Sequence, residues 1–257
     1  MSKRGIIIVA AAALLIGFAA LVVHNYKNKT SYKYAEKTAE ELKPEQHSQD
    51  AVNEAVNKEA AVDEARKNSE LLKVLPGDFV LGDKAAPVLF IEYASLSCPH
   101  CADFSREGFE RLKTEYIDAG KVKFIFRNFP LNQPALVAAM FADCQANDNK
   151  EQANEKYFLT LKALFKTQDA WAFDEKFAEK LEAIAQLDGM SSDRFRKCLA
   201  DKSLQDKILN ARMEAAKSLQ LRSAPSFFVN GEITEGFVDY KVLKKLIDAK
   251  LSEKKIK

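Results

Sequence analysis

Cys98-Pro99-His100-Cys101 places two thiols three positions apart. At that spacing they can close a small disulfide that opens and recloses. The pair follows an apolar run, Val88-Leu89-Phe90-Ile91-Glu92-Tyr93-Ala94, that reads as a buried strand, and it precedes a segment that reads as a helix. Cys98 therefore falls at or near a helix N-terminus. Unpaired backbone N–H groups and the helix dipole stabilise an anion there. A thiolate is such an anion, so the chemistry suggested is thiol–disulfide exchange, the attack of a thiolate on a disulfide sulfur. Cys98 is the expected nucleophile, and Cys101, one turn into the helix and more buried, the expected resolving thiol. His100, between them, can offer a hydrogen bond or, when protonated, a positive charge to the Cys98 thiolate.

A metal site is the main competing use of two such thiols. Zinc takes about four N or S ligands, yet Cys144 and Cys198 stand singly and far along the chain, and it has 3 His. An exported CxxC domain could instead sequester copper or zinc through soft thiolates, but no Met-rich or His-rich tract accompanies this one. The expectation is no metal and no cofactor. The 39 basic and 37 acidic residues leave a net charge of +2, which gives no support for nucleic-acid binding. With 17 Phe and only 4 Cys in 257 residues, the fold must stand on apolar burial, with any cystine as an addition.

Stepping outward, three regions differ in composition. In residues 1–23, Lys3 and Arg4 precede an apolar run of 19 residues from Gly5 to Val23. This is an export signal or a membrane anchor. Either reading puts the rest of the chain outside the cytoplasm, where disulfides persist. Residues 24–75 are rich in Ala, Glu, Lys, Asn and Gln and read as a polar, partly helical stalk, with a dimerisation helix as the alternative. Residues 76–257 carry the compact domain.

Within that domain a helix runs from the CPHC motif to about Ala119, with Gly120 at the C-terminal cap position. Residues 121–127 alternate polar and apolar, as a half-buried strand does. A long helical block spans about 134–219, with Ser192-Asp193 as a candidate cap. Trp171, Phe165, Phe173 and Phe177 are spaced as a core cluster within it. Ser226-Phe227-Phe228-Val229 reads as a strand, Asn230-Gly231 as a hairpin turn, and about 239–251 as an amphipathic helix. Phe104, Phe109, Phe129 and Phe227-Phe228 read as core, with an apolar rim around the cysteines as the alternative.

Together these residues resemble the DsbA-type thiol:disulfide oxidoreductases, thioredoxin-like proteins with an inserted helical domain. The resemblance runs from about Phe79 to the C-terminus. It rests on Gly82, Ala86-Pro87, Glu92, Cys98-Pro99-His100-Cys101, Phe129-Pro130-Leu131 and Ala224-Pro225-Ser226-Phe227-Phe228-Val229-Asn230-Gly231. The fold class expected is α/β: a thioredoxin-like fold with a helical insertion, preceded by the export segment and stalk.

The resemblance implies further roles. Pro225 would be a cis proline beside the CxxC, and Ala224 before it would pair with an extended substrate. Thr or Val is common at that position in the family, so Ala224 is a departure. Glu92 would be a buried carboxyl relaying a proton to and from Cys101, with a solvated strand residue as the alternative. Cys144 and Cys198 would form a second, structural disulfide, or remain two buried free thiols. The activity implied is donation of the Cys98–Cys101 disulfide to reduced exported proteins, with reoxidation by a membrane quinone-linked, DsbB-like partner. A disulfide isomerase or reductase is the alternative.

Overall fold

The computed structural model describes residues 68–148, 150–236 and 238–255. The expected export segment, most of the expected stalk, and His24 and His47 lie outside the described residues. Among the described residues no helix is long and apolar enough to cross a membrane.

Five strands form one sheet in the order β1-β3-β2-β4-β5: β1 (Val80–Leu81), β2 (Val88–Ala94), β3 (Val122–Asn128), β4 (Ser226–Val229) and β5 (Glu232–Glu235). β2 and β3 are parallel, with Phe90 opposite Phe124. The β1–β3, β2–β4 and β4–β5 pairs are antiparallel. The parallel pair needs a crossover, and a helical run over residues 99–117 (α1) supplies it. Two π turns, Phe104–Gly108 and Lys113–Ile117, interrupt its α-helical hydrogen bonding.

The helical insertion follows β3 as α2 (Gln133–Asn147), α3 (Ala153–Lys166), α4 (Gln168–Trp171), α5 (Phe177–Leu187), α6 (Ser192–Leu199) and α7 (Lys202–Ser218). A last helix, α8 (Tyr240–Lys255), closes the fold. The short α4 had no separate signal in the sequence. The α6 cap is Ser191, whose hydroxyl accepts from the Arg194 N–H, one residue before the expected pair. Asn132 and Asp201 cap α2 and α7 in the same way.

Both sheet faces are covered. On one, Phe90, Phe124 and Phe227 pack under α1, the insertion and α8, and the Phe104 ring of α1 lies 4.6 Å from that of Phe227. On the other, Ile91, Tyr93, Ile125 and Phe228 pack against Ala215, Leu221 and Leu72. Trp171 and Phe165 are core, as expected, but Phe173 is 66% exposed. It lies beyond the end of α4. Phe104, Phe129, Phe227 and Phe228 are buried, so they form core and not a rim.

β3 departs from the half-buried reading. It is an inner strand, and Arg127, which alternation would turn to solvent, is buried. Its guanidinium grips both carboxylate oxygens of Asp78, at 3.1 and 2.8 Å. It also donates to the Tyr93 hydroxyl at 2.7 Å, to the Lys73 carbonyl at 2.6 Å and to the Leu71 carbonyl. The clamp ties residues 71–78 to the sheet.

Gly82 has φ +94°, and a Cβ there would meet the Ile117 side chain and the Val122 carbonyl at 2.8 Å. Only glycine lets the chain turn into β2 so close to the end of α1.

Candidate active site

The strand-to-helix junction places the cysteines. Cys98 is the N-cap of α1, with extended φ −85° and ψ 123°, and Pro99 occupies the first helical position. The Cys98 carbonyl accepts the first helical bond, from the Ala102 N–H at 3.1 Å. The Cys98 side chain thus faces the free N–H groups at the helix start. Both cysteines are reduced and buried: Cys98 retains 8% exposure and Cys101 none.

The two sulfurs differ sharply in acidity. The Cys98 thiol is pulled down from 9.0 to about 6, first by a hydrogen bond from the Cys101 thiol. Burial opposes that fall. The backbone N–H groups of Cys101 and His100 reinforce it, and the His100 charge adds the smallest contribution. Cys101 is pushed far above the ordinary thiol range. Burial is the main cause, followed by its donation to Cys98 and repulsion by Glu92 and Cys98. One sulfur is thus held ionised near neutrality while its neighbour keeps the proton. A pair so divided can attack, and be attacked, at one sulfur only.

His100 is largely exposed and lies 3.7 Å from the Asp103 carboxylate. The expectation is a hydrogen bond or a positive charge from its ring to Cys98. Its ring contributes least of the causes named, because an exposed charge is screened by water.

Glu92 lies on β2 between Phe126 and Phe227 of the neighbouring strands. It is buried, 3% exposed, and its Oε1 has no hydrogen-bond partner. Burial first, and then the negative charge of Cys98, hold its carboxyl well above the usual range. The solvated-strand alternative does not hold, since β2 is the central strand and is covered on both faces.

The Ala224–Pro225 peptide is cis. The Cys98 thiol donates to the Ala224 carbonyl at 3.4 Å, so the segment before β4 and the start of α1 share one site. Cys144 and Cys198 are not part of it. They are bonded to each other, with Cα atoms 6.2 Å apart, and join α2 to α6 inside the insertion. Among the described residues no cluster of three or more His, Cys, Asp or Glu could hold a metal ion.

Sequence reasoning missed Gln168. From the start of α4 its Nε2 donates to the Leu96 carbonyl at 2.7 Å and the Cys98 carbonyl at 3.0 Å. It also missed Ser97, whose hydroxyl donates to Asn132 Oδ1 at 2.9 Å. Only Asn132 carried a local signal, as a capping residue ahead of Gln133-Pro134.

The thioredoxin family model matches residues 73–249. The chain belongs to that family, in its DsbA-like form with a helical insertion in the sheet. The crystal structure of alpha-DsbA1 from Wolbachia pipientis superposes with a TM-score of 0.66 at 36% identity, covering 72% of this chain and 96% of that one. A Rickettsia typhi chain named as a protein-disulfide oxidoreductase is 36% identical over 64% of this chain and 59% of its own length. A Rickettsia felis chain of the same name is 31% identical over 87% of this chain and 78% of its own. This chain therefore spans about three fifths of the Rickettsia typhi relative's length.

Proposed function

We propose that this chain is a thiol:disulfide oxidoreductase that donates the Cys98–Cys101 disulfide to reduced proteins outside the cytoplasm. The observation that carries the reading is the opposed acidity of the two sulfurs at one helix N-terminus.

In the donating direction a substrate thiolate attacks the Cys98 sulfur. The Cys98–Cys101 bond breaks, and Cys101 leaves with the electron pair and takes up a proton. Glu92 is the buried acid facing that sulfur, and it serves as the proton's source and, in the reverse step, as its acceptor. A second substrate thiolate then attacks the substrate sulfur of the mixed disulfide. Cys98 leaves as a thiolate, which the helix N-terminus and the Cys101 S–H stabilise. Two electrons pass from the substrate dithiol to the cysteine pair.

Ala224 and Pro225 border the Cys98 sulfur and bind the substrate backbone as an added strand. The apolar run Gly5 to Val23 behind Lys3 and Arg4 supports export, as a removed signal or a retained anchor. Residues 24–75 then act as a spacer ahead of the 76–257 domain. The resemblance supports a membrane quinone-linked reoxidase as the partner that restores the disulfide.

The test is the equilibrium of the Cys98–Cys101 pair with glutathione, run beside refolding of a reduced and of a scrambled substrate. An oxidising potential with rapid oxidation of the reduced substrate is expected. A potential as low as that of a cytosolic reductant, or activity on the scrambled substrate alone, refutes donation and leaves reduction or isomerisation.

A further inference from the structure

The loop carrying Cys98 lies between β2 and α1, yet its carbonyls are held from the helical insertion. Gln168, the first residue of α4, is 2% exposed. The two hydrogens of its Nε2 go to the Leu96 and Cys98 carbonyls. These carbonyls flank Ser97, which is itself tied to Asn132 at the cap of α2. α4 is a rigid support: the Trp171 ring is fully buried and its Nε1 donates to the Leu164 carbonyl of α3 at 3.2 Å.

The direction of the Cys98 carbonyl has a chemical consequence. The Cys98 carbonyl accepts from two donors, the Ala102 N–H at 3.1 Å and Gln168 Nε2 at 3.0 Å. Its direction is the ψ angle of Cys98. That angle decides whether the side chain on the same Cα reaches the N–H groups of His100 and Cys101 or swings off the helix end. A rotation of ψ would leave the thiolate with weaker donors while keeping the fold intact.

We propose that Gln168 is a positioning residue for the reactive thiol: by holding the Leu96 and Cys98 carbonyls from the helical insertion, it keeps the Cys98 sulfur on the donors at the start of α1. The insertion thereby tunes the chemistry of a cysteine carried by the other half of the fold. The inference rests on Cys98 being the attacking thiol.

The test uses Gln168→Met in the full chain, because Met keeps an unbranched side chain of similar length and removes both donors. The readouts are the pH midpoint of Cys98 alkylation and the glutathione equilibrium at pH 8. The midpoint is expected to rise by about one unit, and the equilibrium constant to fall roughly tenfold, or about 30 mV toward reducing. Replacement of both Cys144 and Cys198 by alanine is the control for damage to the insertion: it lowers the melting temperature and leaves the midpoint in place.

A Gln168→Met midpoint equal to wild type, with only the melting temperature reduced, overturns the inference. So does a midpoint in the variant lacking both Cys144 and Cys198 that moves as far as that of Gln168→Met. Should Gln168→Met fail to fold, Gln168→Leu carries the test: it is smaller, uncharged, and likewise removes both donors. Its midpoint must rise, and an unchanged one overturns the inference equally. A wild-type midpoint near that of an ordinary thiol is a different result, since it removes the attacking role of Cys98 and the inference with it.

Discussion

Removing the Cys101 sulfur tests the reactive thiol more directly than removing the histidine beside it. Cys101→Ala deletes the S–H that donates to the Cys98 thiolate and leaves the backbone N–H groups of residues 100 and 101 in place. A hydrogen bond to a charged group contributes about 1.5–3 kcal/mol, which corresponds to about 1–2 pKa units. The Cys98 midpoint, about 6 in the intact site, therefore moves to roughly 7–8. His100→Ala removes a charge on a ring that is 63% exposed. Exposed charge pairs contribute about 0.2–1 kcal/mol, so the midpoint rises by less than about 0.7 unit.

The sign of the pH dependence follows from the direction of the shift. Cys98 lies below its ordinary value of 9.0. Its ionisation therefore stabilises the reduced form fully above about pH 9, progressively less as pH falls, and not at all below about 6. At pH 7, one unit above the lowered value, the gain is about 1.4 kcal/mol, or about 30 mV. The assay is alkylation rate against pH, with thiolate absorbance as a second readout. A His100→Ala midpoint that moves further than that of Cys101→Ala refutes the ordering of causes, and the reading of the pair with it.

Three further outcomes are expected. Glu92→Leu removes an orphaned buried oxygen whose cost is about 1–3 kcal/mol, so thermal unfolding shows a melting point higher by roughly 2–4 °C per kcal/mol. Stopped-flow measurement shows slower release of Cys101 in the same variant. Because the Glu92 carboxyl is raised, wild-type stability falls as pH climbs from its unfolded value of 4.5 toward the folded one, and urea titration shows that slope flattened in Glu92→Leu. Replacing Cys144 and Cys198 by alanine opens a link across 54 residues and lowers stability by about 4 kcal/mol in the chain-entropy model, with the Cys98 midpoint unmoved; denatured wild-type protein with its active-site pair blocked yields no further free thiol. Arg127→Ala strands Asp78 in the interior and costs about 3–5 kcal/mol, and limited proteolysis then cuts within residues 71–78.

Much of the site was legible because its signals are local. The CxxC spacing, the apolar run ahead of it and Asn230-Gly231 each declare a backbone geometry within a few residues, whereas the cis proline at Pro225 came from the family resemblance. The structure gives Asn230 φ 48° and Gly231 φ 89° at the hairpin, and Gly120 φ 66° at the end of α1. Those positive values are what the residue types announced. The helices of the insertion run from Gln133 to Ser218, and the apolar spacing and caps that mark them are also local.

Tertiary structure decided what the polar residues do. Alternation assigns Glu92 and Arg127 to a face of a strand but is silent on whether water reaches that face. The strand order, which places β2 and β3 inside the sheet, buries both. Arg127 is then satisfied by Asp78, 49 positions upstream, and Cys98 is braced by Gln168, 70 positions downstream. Periodicity reports a side chain's direction within its own element. The environment that sets its charge and hydrogen bonds comes from segments brought alongside by the fold, and no local pattern encodes them.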